Sequence, residues 1–321
     1  MSHILNDTRY VSDKLRARVY QVIQDLNYQP YGLARSLRRK QTQTIGIVVP
    51  DNSNPFFAEI TRAVEDECFE FNYNVIICNS DGSIKKQANY VNLLIEKGVD
   101  GLAFISAGDD SEVIDLLGKR NIPWIISDRE LPGVDVDTVI VDNYAGGRQA
   151  TEYLVSLGHK NIACITGPSQ LSPSAQRAAG YKEALRSAGL ALNEDLLQLG
   201  DFKSKSGYRL CRFFLRLPNP PTALFVCNDL MAIGALCAAH EMAVKVPEEL
   251  SIIGFDDIAL ASMTIPRLST VSQPKQNIGK IVTKLLIERI QDRSLPTRKI
   301  VIQPELIIRN SCSCIRIAHS N

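Results

Sequence analysis

Carboxylates and amides stand at the ends of short apolar runs throughout this 321-residue sequence. Asp51, Asn52 and Asn54 follow TIGIVVP, Asn79 and Asp81 follow NVIIC, Ser106 follows DGLAFI, and Asp128 follows PWIIS. Asp142 and Asn143 follow TVIV, Asn228 and Asp229 follow TALFVC, and Asp256 and Asp257 follow LSIIGF. Groups of this kind hydrogen-bond a polar ligand without altering it. Covalent chemistry needs a nucleophile beside a base, and the four histidines (His3, His159, His240, His319) share no spacing that would supply one. The eight cysteines lie mostly inside apolar runs, form no CxxC pair, and read as reduced structural thiols rather than zinc ligands. No P-loop or GxGxxG follows any of the apolar runs. The expectation is a binding protein with no catalytic residue, no metal and no cofactor.

The apolar runs themselves dictate the elements that hold these residues. TIGIVVP, NVIICNS, DGLAFIS, PWIISD, TVIVDN, NIACITG, TALFVCND and LSIIGFDD are short and rich in β-branched residues, and all read as strands buried on both faces. Amphipathic stretches at 56–71, 84–97, 144–157, 175–188 and 230–240 separate many of them and read as helices. That alternation predicts doubly wound parallel sheets, and the number of strands predicts two lobes with a cleft between them. Open α/β sheets bind ligands beyond the carboxyl ends of their strands, which is where the polar residues fall.

The first 43 residues differ in charge. Eight Lys or Arg (Arg9, Lys14, Arg16, Arg18, Arg35, Arg38, Arg39, Lys40) against three acids give +5, which leaves about −4 on the rest of a chain whose net charge is +1. A basic appendage on a mildly acidic body suggests a polyanionic partner for the appendage. Ser12 is a plausible N-cap for a helix ending near Asn27, with Leu15, Val19, Val22, Ile23 and Leu26 on one face. Pro30 opens a second short element, YGLARSL, followed by the linker RRKQTQT. With 45% hydrophobic residues, no run of eighteen apolar residues and a polar start, the sequence reads as a cytoplasmic globular protein that does not enter a membrane.

The run from SHILNDTRYVSDKLRARVYQVIQDLNYQPYGLARSLRR to TIGIVVPDNSNPFFAEI resembles the LacI/GalR repressors, and so do KGVDGLAF, DNYAGGRQATEYLVSLGHKNIACITGP, RAAGYKEAL, GDF, PPTALFVCNDLMAIGAL, VPEELSIIGFDD, LSTVSQP and PELIIR. The motif set is similar to the ribose and purine repressors of that family. The resemblance implies a periplasmic-binding-protein-like sensor of two doubly wound sheets behind a small all-α headpiece. Its divisions are a headpiece at 1–29, a hinge helix and linker at 30–43, a two-lobed ligand-binding and dimerisation domain at 44–309 and a tail at 310–321. Family headpieces carry a first helix and the start of the recognition helix ahead of the residues matching Ser2 and His3. An incomplete helix-turn-helix, without sequence-specific operator binding by the 321 residues alone, is therefore expected.

The resemblance also implies site residues. Ser2, His3, Tyr31, Ala34, Arg35 and Leu37 would contact operator DNA, Leu37 as an apolar wedge opening a base step in the minor groove. Phe56, Phe57, Asp128, Arg177, Phe202, Asn228 and Asp256 would contact the ligand. One of the two phenylalanines is expected in the core, Asn54 and Pro55 suit the N-cap and N1 of a helix, and Asp128, Phe202 and Asn228 read equally well as turn or cap residues. Arg177 is expected to fork two donors toward the ligand, so that Arg177→Ala leaves the fold intact. Two carboxylates with one arginine suit a polyhydroxylated ligand, a pentose such as ribose, better than a purine. The implied function is an allosteric, homodimeric transcriptional repressor, and the alternative is a solute-binding protein of the same fold without DNA-binding activity.

Overall fold

The computed structural model describes residues 9–26, 41–106, 111–131 and 133–315. Two compact units divide at Gln43, Met1–Gln43 and Thr44–Asn321. In the first, helix α1 (Asp13–Asp25) is shorter than expected and ends at a Leu26 cap, and Ser12 precedes it without a side-chain capping bond. No residue of α1 is buried, and Leu15, Val22 and Leu26 are exposed. Ser2, His3, Tyr31, Ala34, Arg35 and Leu37 lie outside the described residues.

The second unit opens with β1 (Thr44–Val49), α2 (Pro55–Glu70), β2 (Asn74–Asn79), α3 (Ile84–Glu96), β3 (Gly101–Ile105), α4 (Ser111–Arg120), β4 (Trp124–Ser127) and β5 (Asp137–Val141). It continues through α5 (Asn143–Ser156), β6 (Ile162–Thr166), α6 (Ser172–Ser187), β7 (Leu197–Leu199), α7 (Ser204–Phe214), β8 (Ala223–Val226), α8 (Asp229–Glu241), β9 (Ser251–Asp256) and β10 (Ser269–Ser272). Last come α9 (Lys275–Gln291), β11 (Lys299–Ile302) and β12 (Glu305–Ile307).

These strands form two six-stranded sheets, β11-β5-β4-β3-β1-β2 and β12-β10-β9-β8-β6-β7, parallel throughout except for β12 against β10. The chain therefore passes between the sheets three times, after β5, after β10 and after β11. Helix α9 packs on α2, β3, β4 and β5, so 44–141 and 275–302 build lobe 1, while 143–272 and 305–315 build lobe 2. Strands β1, β3, β4, β5, β6, β8 and β9 are nearly continuous core, as their β-branched runs require. NVIICN is the exception to the expected two-sided burial. As β2 it is the edge of its sheet, with Ile76 and Ile77 exposed and only Cys78 buried.

Residues 310–315, expected as part of a tail, are tied into lobe 2. Ser311 is fully buried, its carbonyl accepts from Ile252 N at 2.8 Å, and its hydroxyl accepts from Ser269 N at 2.8 Å. Ser313 O accepts from the buried His159 ring, which also meets Thr222 and Ser251 hydroxyls at 2.9 and 3.0 Å. The small Ser-Cys-Ser side chains let this segment lie flat beside β9.

Candidate ligand-binding cleft

The carboxyl ends of both sheets open onto one cavity of about 890 Å³, and all seven residues expected at the ligand, from Phe56 to Asp256, line it. Lobe 1 supplies Phe56 and Phe57 from the first turn of α2. Asn54 caps that helix, its Oδ1 accepting from Phe56 N at 3.1 Å, and Pro55 occupies the first turn, where a missing N–H costs nothing. The rings meet edge to face at 5.2 Å; Phe56 is core apart from a 4% exposed edge, and Phe57 is half-buried. Asp128, one residue past β4, takes a left-handed φ of 73° while its N–H stays bonded to Val139 O. A non-glycine residue is held in that region only when its surroundings fix it.

Lobe 2 supplies the charged floor. Arg177 on α6 is 3% exposed, and its guanidinium lies 3.8 Å over the Phe255 ring. Its Nε donates to Asn143 Oδ1 at 2.7 Å, and Nη1 donates to Cys227 O at 2.6 Å and to Asp256 Oδ1 at 3.4 Å. Asp256 Oδ1 also accepts from Gln273 Nε2 at 2.7 Å. Among the described residues, Arg177 Nη2 and Asp256 Oδ2 have no hydrogen-bond partner. The floor thus offers one free donor edge beside one free acceptor. Burial pushes the Asp256 carboxyl up to about 6, against the pull of Arg177, Gln273 and Lys275, and Asp128 across the cleft adds to the rise. The backbone of Asp256 is itself left-handed, φ 108°, and Lys275 Nζ holds the carbonyls of Asp256 and Asp257 at 2.8 and 2.6 Å.

Asn228 and Phe202 form the remaining wall. Asn228 caps α8, with Oδ1 accepting from Met231 N, and its Nδ2 donates to Phe202 O at 3.0 Å. Its cap role and its wall role coexist. Phe202, at φ 64°, packs on Gly167 so closely that a Cβ there would sit 2.0 Å from the ring. Asp229, also at a strand end, is core instead: fully buried, it accepts from Thr270 Oγ1 at 2.6 Å and Ile258 N at 2.9 Å, and burial raises its carboxyl well above the usual range.

Other lining residues had a weaker signal. Asp51, Asn54, Asp81 and Ser106 stand after strands, as the strand-end rule requires. Arg129, whose Nη2 donates to Ser106 Oγ at 3.3 Å, and Lys203 are simply neighbours of Asp128 and Phe202. Gln170 sits in the loop after β6. Gln273, which orients Asp256, follows β10, whose STVS sequence is too polar and too short to read as a buried strand.

The sequence matches two family descriptions in succession. Residues 1–31 match the bacterial regulatory proteins of the lacI family, and residues 42–310 match the periplasmic binding proteins and sugar binding domain of the LacI family. The HTH-type transcriptional repressor PurR of Erwinia tasmaniensis is 39% identical over 313 residues, 97% of this chain and 92% of that protein. Among solved structures, the lac repressor dimer bound to operator and an anti-inducer superposes with a TM-score of 0.87 at 26% identity, over 97% of this chain and 94% of that one. A LacI family regulator from Enterococcus faecium with bound ribose superposes at 0.78 with 30% identity, over 85% of this chain and 100% of that one. With its fold and nearly its whole length matched in this way, the chain belongs to the LacI family of bacterial regulatory proteins.

Proposed function

We propose that this ligand-responsive DNA-binding repressor takes a monosaccharide of pentose type in its cleft. The observation that carries the reading is the floor, where Arg177 Nη2 and Asp256 Oδ2 have no hydrogen-bond partner among the described residues while Nη1 and Oδ1 of the same groups meet at 3.4 Å. Vicinal sugar hydroxyls both donate and accept, so one ring edge satisfies both atoms, and Asp128 opposite accepts from another hydroxyl. Phe57 and Phe202 supply apolar faces for the ring carbons. The ribose bound in the Enterococcus faecium regulator supports the same ligand class here. Bound sugar draws the lobes together about the three crossovers, and no covalent step is involved.

The remaining assignments follow from the same reading. Residues 1–29 are the operator-contacting headpiece, 30–43 the hinge with Leu37 as wedge, and 44–309 the sensor, acting as a two-fold dimer in the cytoplasm. Two groups of exposed apolar side chains support the dimer: Phe69, Ile76 and Ile77 in lobe 1, and Leu260, Met263 and Ile265 in lobe 2, the last 96% exposed. Among the described residues no helix is long and apolar enough to cross a membrane. Titration calorimetry with ribose and with hypoxanthine tests the ligand class. Ribose is expected to bind and to be recovered unchanged; hypoxanthine binding in its place overturns the reading.

A further inference from the structure

Arg177 is oriented by a residue that is itself anchored in the other lobe's sheet. Asn143 is the first residue of α5, directly after the first crossover, and is 2% exposed. Its Oδ1 accepts from Arg177 Nε at 2.7 Å, and its Nδ2 donates to Val141 O, the end of β5, at 3.1 Å. The chemistry of the partners fixes the amide orientation: an Nε–H can only donate, and a carbonyl can only accept. A guanidinium is planar, so fixing Nε and Nη1 fixes the direction of Nη2. Without the Asn143 acceptor, only the Cys227 carbonyl, the long contact to Asp256 and the Phe255 ring would define that plane.

The helices around this bond leave it little freedom. A Cβ on Gly147, one turn after Asn143, would lie 2.2 Å from Arg177 O, and one on Gly180 would lie 2.2 Å from Tyr144 O. α5 and α6 therefore touch backbone to backbone on both sides of the Asn143–Arg177 bond. The side-chain amide spans from a strand end of lobe 1 to the guanidinium in the floor of lobe 2.

We propose that Asn143 is a positioning residue for the effector: it sets the plane of the Arg177 guanidinium so that Nη2 faces the cleft, and it ties that plane to the first crossover. The proposal rests on the reading of Arg177 as an effector contact, and its test separates the two. In the whole chain, the Arg177 Nε–H resonance, identified by its loss in Arg177→Lys, is followed for exchange with water, and ribose affinity is measured on the same samples. Asn143→Leu removes both hydrogen bonds at similar volume, whereas Asn143→Asp keeps the acceptor. In Asn143→Leu the Nε–H is expected to exchange faster and ribose affinity to fall on the order of tenfold, the loss of one hydrogen bond to a charged group. In Asn143→Asp the slow exchange and most of the affinity are expected to survive. Unchanged Nε–H exchange in Asn143→Leu overturns the positioning role. Equal ribose affinity in wild type and Arg177→Lys instead removes Arg177 from the effector contacts, and so overturns the cleft reading on its own.

Discussion

Arg177 is a buried cation whose nearest charge, Asp256, is also buried, at 3% and 4% exposure. With both groups buried, Arg177→Ala is expected to destabilise the fold, against the reading from sequence that it leaves the fold intact. Removing one partner of a buried pair leaves an uncompensated charge, a loss of about 3–5 kcal/mol. Asp256 makes that loss depend on pH. Its folded value, about 6, lies above its ordinary 3.8, so its contribution to stability is full below pH 3.8 and is lost as pH rises through 6. Without the arginine, the carboxyl rises further and takes a proton at mildly acidic pH. Arg177→Met is therefore expected to melt well below wild type at pH 8 and closer to it at pH 5. Thermal melts at the two pH values measure this, and an equal gap at both would contradict it. At this scale the sequence was informative where a polar residue ended an obvious apolar run, as Asp128, Asn228 and Asp256 do. It singled out neither Gln273, which follows a strand too polar to look like one, nor Lys275, which opens α9, and it was silent on the core role of Asp229, because a buried acid and a cleft acid read alike.

The seam between α5 and α6 decides where Arg177 stands. Gly147 and Gly180 are unremarkable as helix formers, and alanine in their place would normally favour a helix. Here an added Cβ on Gly147 meets the Arg177 carbonyl, which is backbone and cannot rotate aside. Gly147→Ala is expected to cost about 1–3 kcal/mol by overpacking and to weaken ribose binding, because α6 has to shift. A urea midpoint no lower than wild type would show that the seam tolerates the methyl. The helices α2, α3, α5, α6 and α8 were legible from apolar periodicity to within three residues at either end. α4, α7 and α9 were not picked out, nor were β7, β11 and β12, which are short edge strands with half-exposed patterns and give no buried run to recognise.

As a whole molecule, the chain presents exposed apolar side chains on both lobes, among them Phe69, Ile76 and Ile77 on lobe 1 and Leu260, Met263 and Ile265 on lobe 2. Burial against a second copy is expected, with Ile265 near the centre of the lobe 2 contact. Sedimentation at micromolar concentration is expected to show a dimer for wild type and a shift toward monomer for Ile265→Asp. A monomeric wild type would refute the dimer. Two lobes were legible from the number of strands. The three crossovers were not, since they depend on which sheet the late strands join, a pairing decision made by tertiary packing rather than local sequence.

Because α9 and β11 complete lobe 1 yet are encoded after almost all of lobe 2, the lobe translated first is the one finished last. Residues 44–141 leave the ribosome as a five-stranded sheet that still lacks its covering helix. The uncovered face includes Gly101, over which Leu286 and Ile290 later close to about 3.0 Å of where its Cβ would stand. At synthesis rates of about 5–20 residues per second, that face waits on the order of ten seconds while lobe 2 is made. During this interval the nascent chain holds an apolar sheet surface that is covered only when residues 275–302 are made. The step most exposed to misassembly or chaperone capture is therefore the return of the chain to lobe 1 after β10.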